Sequence, residues 1–267
     1  MNYKNEPIVR SRKQWNALAN HWESQASDTN NFYTRRSKYL VQLILRSNIK
    51  SCKSLDIGCA NGLFASFLAE KGFDCYGNDV SDELISIAVR RFSKYYPDPE
   101  SRFKISQEES NPFNGMKFQL ITMIGVLPYF SDQRKYLQTI YDMVEDNGFV
   151  VATGANRFSL YIFLHLIKRL FHFRPNKSWL NNFINEARTG IDSGGNIDFK
   201  KAKQVYSSKD FDKLFKEVGY IKIDEMDMYK ISFLDRDPLR RTKLDKFLCR
   251  KFGWSHACIF KKQPPKN

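Results

Sequence analysis

The chain has 267 residues, 42% hydrophobic and 27% charged, which suffices for one large globular core; no run approaches the roughly 18 uncharged apolar residues of a membrane span. MNYKNEPIVRSRK at the N-terminus has no apolar signal core, so a cytoplasmic protein is expected, and five cysteines without a C-x-x-C pair and four histidines without ligand spacing argue against disulfides, structural zinc or any metal. The net charge of +14 is lopsided: residues 1–156 carry 19 Lys+Arg against 17 Asp+Glu and residues 157–267 carry 24 against 12, which suits either a solvated face or an anionic partner.

Two helices, about 12–25 and 32–47, are predicted first and, lacking strand partners, are expected to cap a sheet. From Lys53 onward short apolar runs alternate with longer helical ones, the mark of a parallel sheet covered on both faces. Strands are predicted at 53–58, 74–79, 102–107, 118–125 and 148–155, with helices from Gly62 to Lys71 and from Asp82 to about Phe92. Ser81 or Asp82 is the expected cap of the second and Gly72 the stop of the first. SSKDFDKLFKEVG reads as a helix ended by Gly219 that leads into a sixth strand, and CIFKK as a seventh. Residues 157–206 exceed an ordinary connection and contain LYIFLHLIKRLFHF, so they are expected to form a helical insertion. The implied organisation is one domain: cap helices in 1–50, a core in 51–156, the insertion in 157–206 and the rest of the core in 207–267.

The strand SLDI runs into Gly58-Cys59-Ala60-Asn61-Gly62, where missing side chains let backbone approach a ligand closely. The dinucleotide pattern G-x-G-x-x-G does not fit, because the small residues fall as G-x-A-x-G behind Asp56. A second acid, Asp79 in CYGNDVS, closes the next strand, where a carboxylate can accept both hydroxyls of a ribose.

Asp56, Gly58, Ala60 and Gly62, with Asp79 in register, resemble motif I and the G-x-D-x-S segment of the class I S-adenosylmethionine-dependent methyltransferases, from about Lys53 to Asn156. The resemblance implies a Rossmann-like seven-stranded α/β sheet whose last strand is antiparallel, and S-adenosyl-L-methionine as cofactor. It places the methionine end at Asp56 and along Gly58, Cys59, Ala60, Asn61 and Gly62, the ribose at Asp79, and the rest near Val80 and Ile124. Gln107, followed by Glu108, stands where the family often has an Asp for the adenine amine. YTRRSKYL is similar to the first helix of ubiquinone-biosynthesis O-methyltransferases, whose arginine reaches the cofactor carboxylate; Arg36 fits, with Tyr39 following.

Methyl transfer from a sulfonium needs chiefly a held acceptor in a dry site. IGVLPYF lacks the [DNS]-P-P-[YFW] of enzymes that methylate exocyclic amines of nucleic acids, and Gln119 and Pro128-Tyr129 replace other frequent family residues. A small-molecule acceptor, oxygen slightly before nitrogen, is therefore expected. RNA methylation and a non-catalytic membrane-associated scaffold are the alternatives. Tyr129 and His165 are the catalytic candidates, and Tyr33, Tyr129 and Asn156 the acceptor-binding ones. His165, Lys168, Arg169 and His172 form a polar stripe on an otherwise apolar helix, and PLRRTKLDKFLCRKFGW is a second basic, amphipathic stretch. A lid or dimer contact, peripheral membrane docking with an anionic or lipid-like acceptor, and an acidic carrier protein all remain open.

Overall fold

A computed structural model describes residues 6–28, 31–107, 110–130, 132–156, 207–228 and 255–264. The insertion 157–206 and the basic stretch near 238–254 lie outside the described residues, and with them His165 and Glu108. No described helix is long and apolar enough to cross a membrane.

The expected first helix is two. Helix α1 (Glu6–Ala17) and α2 (Ala19–Ser27) meet at Leu18, whose ψ of −2° leaves the helical path. The break buries Ala19 against Leu84 and Ile87 and leaves Leu18 exposed, so α1 and α2 both reach the core. Helix α3 (Phe32–Arg46) starts at Asn31, whose side chain accepts the Thr34 amide. Its buried positions Ser37, Leu40, Val41 and Ile44 recur at helical spacing and set the face it lays on the sheet.

Strands β1 (Lys53–Ile57), β2 (Asp74–Asp79), β3 (Phe103–Ile105), β4 (Phe118–Met123), β5 (Val144–Ala155), β6 (Tyr220–Met228) and β7 (Ser255–Lys262) form one sheet in the order β3-β2-β1-β4-β5-β7-β6. The first five are mutually parallel, and β7 runs antiparallel between β5 and β6. Helices α4 (Leu63–Ala69) and α5 (Asp82–Phe92) lie in the crossovers of the first half. Helix α6 (Gln133–Met143) leads directly into β5, and α7 (Ser208–Val218) ends at Gly219, whose φ is +105°.

The two faces carry separate cores. Leu40 and Ile44 of α3 and Phe64 and Leu68 of α4 pack with Cys75, Leu120, Val151 and Ile259 on one side. Leu137 and Ile140 of α6 and Phe211 and Phe215 of α7 meet Leu55, Ile121, Val150 and Phe260 on the other. Neighbouring residues along β4 and β5 thus feed opposite cores, and central strands read as unbroken apolar runs because both faces are covered. Two strand ends depart from expectation. β3 keeps only Phe103–Ile105, after which Gln107 forms an isolated antiparallel bridge with Ser110. β5 begins at Val144, since a register irregularity between Phe118 and Leu120 and the left-handed Asn147 carry the polar EDN stretch within the strand.

Candidate functional site

The carboxyl ends of β1, β2 and β4 converge on the turn after β1. Gly58, Ala60 and Gly62 all have left-handed φ, at +69°, +48° and +73°. A Cβ on Gly58 would stand 2.7 Å from Cγ2 of Val126, and one on Gly62 3.1 Å from Phe92. These glycines are therefore fixed by packing as well as by conformation. Ala60 adopts the same region with a side chain, a strain of about 1–2 kcal/mol. Its own amide donates to Oδ2 of Asp79 at 2.9 Å, and the Cys59 amide to the Asn78 carbonyl at 2.9 Å. The turn is thereby bound to β2 and its backbone kept in place.

Asp79 also accepts the Ser81 amide at 3.0 Å, and Ser81 caps α5 by accepting the Leu84 amide at 3.1 Å. Burial raises the Asp79 carboxyl above the usual carboxylate range, while the amides of Ser81, Ala60 and Val80 counter it. These donors fix the position of the acid and offset part of the effect of its burial.

Asp56 is buried, and the Thr122 hydroxyl donates to its Oδ1 at 2.6 Å. Burial pushes its carboxyl up to about 7; Thr122 and Arg36 pull it down and Asp79 pushes it further up. Arg36, from the second turn of α3, is held over the rings of Tyr33 and Phe32, 5.3 and 5.8 Å from their centroids. Burial lowers its affinity for a proton, and its Nε is buried with no hydrogen-bond partner. A Cβ on Gly125, the exposed left-handed residue after β4, would sit 3.9 Å from its Nη1. The cleft thus holds an under-solvated acid beside an under-partnered cation.

Tyr33 and Tyr129 come to the same mouth. Tyr129, in the short turn Leu127–Tyr129, meets the edge of Trp15 at 5.7 Å, while Trp22 lies 4.6 Å from the Tyr33 ring. The Tyr129 ring is 42% exposed, yet restricted solvation, with Tyr33 adding to it, pushes its phenol up to about 12. Asn156 is buried where β5 ends. Ile124 is half-buried against the core on the α3 side, and Val80 is half-buried at the end of β2. Gln107 is exposed. Cys59 is buried, its thiol raised well above the ordinary range by burial and by the two acids. Asn61 turns its side chain to α2, donating to the Trp22 carbonyl at 3.1 Å and to Glu23 at 3.0 Å, so it secures the helix above the turn.

Four residues at the cleft escaped the sequence reading. Thr122 looks like an ordinary strand residue until β4 is laid beside β1. Trp15 and Trp22 stand seven apart in the predicted helix 12–25, the spacing of one face of an unbroken helix, and Arg12 precedes Trp15 by one turn.

Known proteins agree with this architecture. A family profile described as a methyltransferase domain matches residues 30–225. The ubiquinone biosynthesis O-methyltransferase of Pseudomonas entomophila (strain L48) is 23% identical over 144 residues, 54% of this chain and 62% of that protein, so the match spans less than two thirds of that relative. The protein of the same description from Hydrogenovibrio crunogenus is 22% identical over 208 residues, 73% of this chain and 86% of its own. Among solved structures, magnesium protoporphyrin IX methyltransferase from Synechocystis PCC 6803 with bound SAH superposes with a TM-score of 0.60 at 13% identity, covering 96% of this chain and 99% of that one. That likeness speaks for a common fold.

Proposed function

Because the chain belongs to the class I S-adenosylmethionine-dependent methyltransferases, we propose that it methylates an oxygen of a small molecule, with the cofactor laid across the turn from Asp56 to Gly62. The observation that carries this reading is that Asp56 and Arg36 are both buried and close enough to influence each other's charge. A buried acid that already accepts from Thr122 and a buried guanidinium whose Nε has no hydrogen-bond partner suit an amino acid's ammonium and carboxylate, the one end of the cofactor that bears both. Asp79, already gripping the turn through Ala60, has acceptor capacity left for ribose hydroxyls. Val80, Ile124 and Gln107 are assigned to the adenosine side, and the backbone of Gly58, Cys59, Ala60, Asn61 and Gly62 to the methionine side.

Bound there, the cofactor would supply an electrophilic methyl group to the acceptor oxygen, its sulfur departing as the neutral thioether. The protein's share is placement. Tyr129 and Tyr33 flank the mouth, and a phenol held near 12 stays protonated at neutral pH. Tyr129 is therefore assigned to hold the acceptor oxygen by a hydrogen bond and not to remove its proton. The acceptor is accordingly read as one that presents an ionised oxygen, a carboxylate or an acidic phenol. Trp15 and Trp22 add apolar walls that keep water from the reacting centre. An anionic or lipid-like acceptor also suits the 24 basic against 12 acidic residues of 157–267, where His165 and a membrane- or carrier-facing surface are assigned.

Calorimetry tests the cofactor first: S-adenosylhomocysteine should bind the wild type in the micromolar range and Asp79→Ala should lose about 10-fold or more. Transfer of labelled methyl should then reach an extractable small molecule; label in RNA at low salt, lost at high salt, would overturn the acceptor class.

A further inference from the structure

Helix α1 bonds the core at the ends of β2 and β3, beside the cleft, and α2 packs on α5 through Ala19 against Leu84 and Ile87. Nε of Arg12 donates to the Val80 carbonyl at 2.9 Å and Nη2 to the Ser106 carbonyl at 3.4 Å. Asn16 accepts the Ser81 hydroxyl at 2.6 Å and donates to Asp82 at 2.6 Å. Val80 follows the acid Asp79, and Ser106 follows β3, its amide donating to the Asp79 carbonyl at 2.8 Å. Arg12 therefore spans the ends of β2 and β3 from above.

We propose that Arg12 is a positioning residue for the adenosine end of the cofactor, stapling the two strand ends that frame it and coupling the docking of α1 to cofactor retention. A planar guanidinium with five fixed donors can serve two carbonyls at once, whereas an ammonium on a flexible stem holds them less rigidly. β3 has only three paired residues with β2, and beyond them the Ser106 amide on the Asp79 carbonyl and the Arg12 guanidinium join its end to β2. Coupling is reciprocal: if docked α1 favours the cofactor, the cofactor must favour docked α1 to the same degree. The proposal rests on the cofactor reading above, and two ligands separate them.

S-adenosylhomocysteine and 5′-methylthioadenosine, which lacks the amino-acid end, are titrated into the wild type, Arg12→Ala and Arg12→Lys. Absence of binding to the wild type would refute the cofactor reading itself. With binding present, Arg12→Ala should weaken both ligands by about tenfold, Arg12→Lys should recover part of that loss, and the unliganded melting midpoint should not account for it. Equal affinities within about twofold, or a loss confined to S-adenosylhomocysteine, would overturn the proposal. Should Arg12→Ala fail to fold, hydrogen exchange on the wild type decides: 5′-methylthioadenosine must slow the amides of Glu6–Ala17, and unchanged exchange there refutes the coupling.

Discussion

Asp56 is held by burial with its carboxyl far above the ordinary carboxylate range. An acid held at about 7 when folded and near 3.8 when free binds more protons in the native state between those values. Its contribution to stability is therefore present at low pH and is lost as pH rises through about 7. Asp56→Asn should raise the melting midpoint of the unliganded protein at pH 8, by an amount that shrinks toward pH 4, while abolishing binding of S-adenosylhomocysteine; a lower midpoint at pH 8 would contradict this. In the wild type, affinity for that ligand should fall by up to about tenfold per pH unit below 7, because the ammonium needs the ionised acid. Gly58→Ala should cost ~2–4 kcal/mol, from left-handed strain and from the 2.7 Å approach to Val126, as read by urea unfolding. Adding Val126→Ala should return the packing share and leave the strain. These small residues and acids are legible in the sequence, since the reason for them is local. Thr122, Arg12 and the two tryptophans are not, because what they touch is distant in the chain.

Helix boundaries follow the same division. Gly219 as the stop of α7 is written in a single residue and stands as read; of Ser81 and Asp82 it is Ser81 that caps α5, while α4 already ends at Ala69 with Glu70 as its cap and not at Gly72. The break at Leu18 depends on burying Ala19 against α5, and the shortness of β3 on a partner strand, so neither has a signature at the site itself. At the early start of β5 the Val144 carbonyl likewise accepts from Nζ of Lys262, at 2.8 Å, from a residue distant in the chain. Ser81→Ala removes a helix cap and a bond to Asn16 together, and should lower stability by about 1–2 kcal/mol in denaturant titration, of which the cap supplies ~1. Pairing Asn16→Ala with it should cost less than the sum of the single changes, because each single change already breaks their shared bond.

At the scale of the whole sheet, the parallel strands β3-β2-β1-β4 include those that carry Asp56 and Asp79, and β7 joins the far half. The seven strands and the antiparallel last one follow from the family resemblance and are shown by the fold, which adds the strand order; the pattern of apolar runs alone establishes a doubly covered parallel sheet and no more. Deleting residues 255–267 should leave β5 and β6 without their common neighbour, and the product should be insoluble or lack a cooperative melting transition; a truncated protein that melts cooperatively would show the strand to be dispensable. The place of β7 also has a meaning during translation. Every other strand leaves the ribosome before it, so the growing polypeptide must carry an apolar, unpaired flank on β5 for as long as synthesis of the remaining hundred or so residues takes, about 5–20 s at ordinary elongation rates. For that interval the nascent molecule is a natural client for chaperones, and codon choice upstream of Ser255 becomes a lever on its yield.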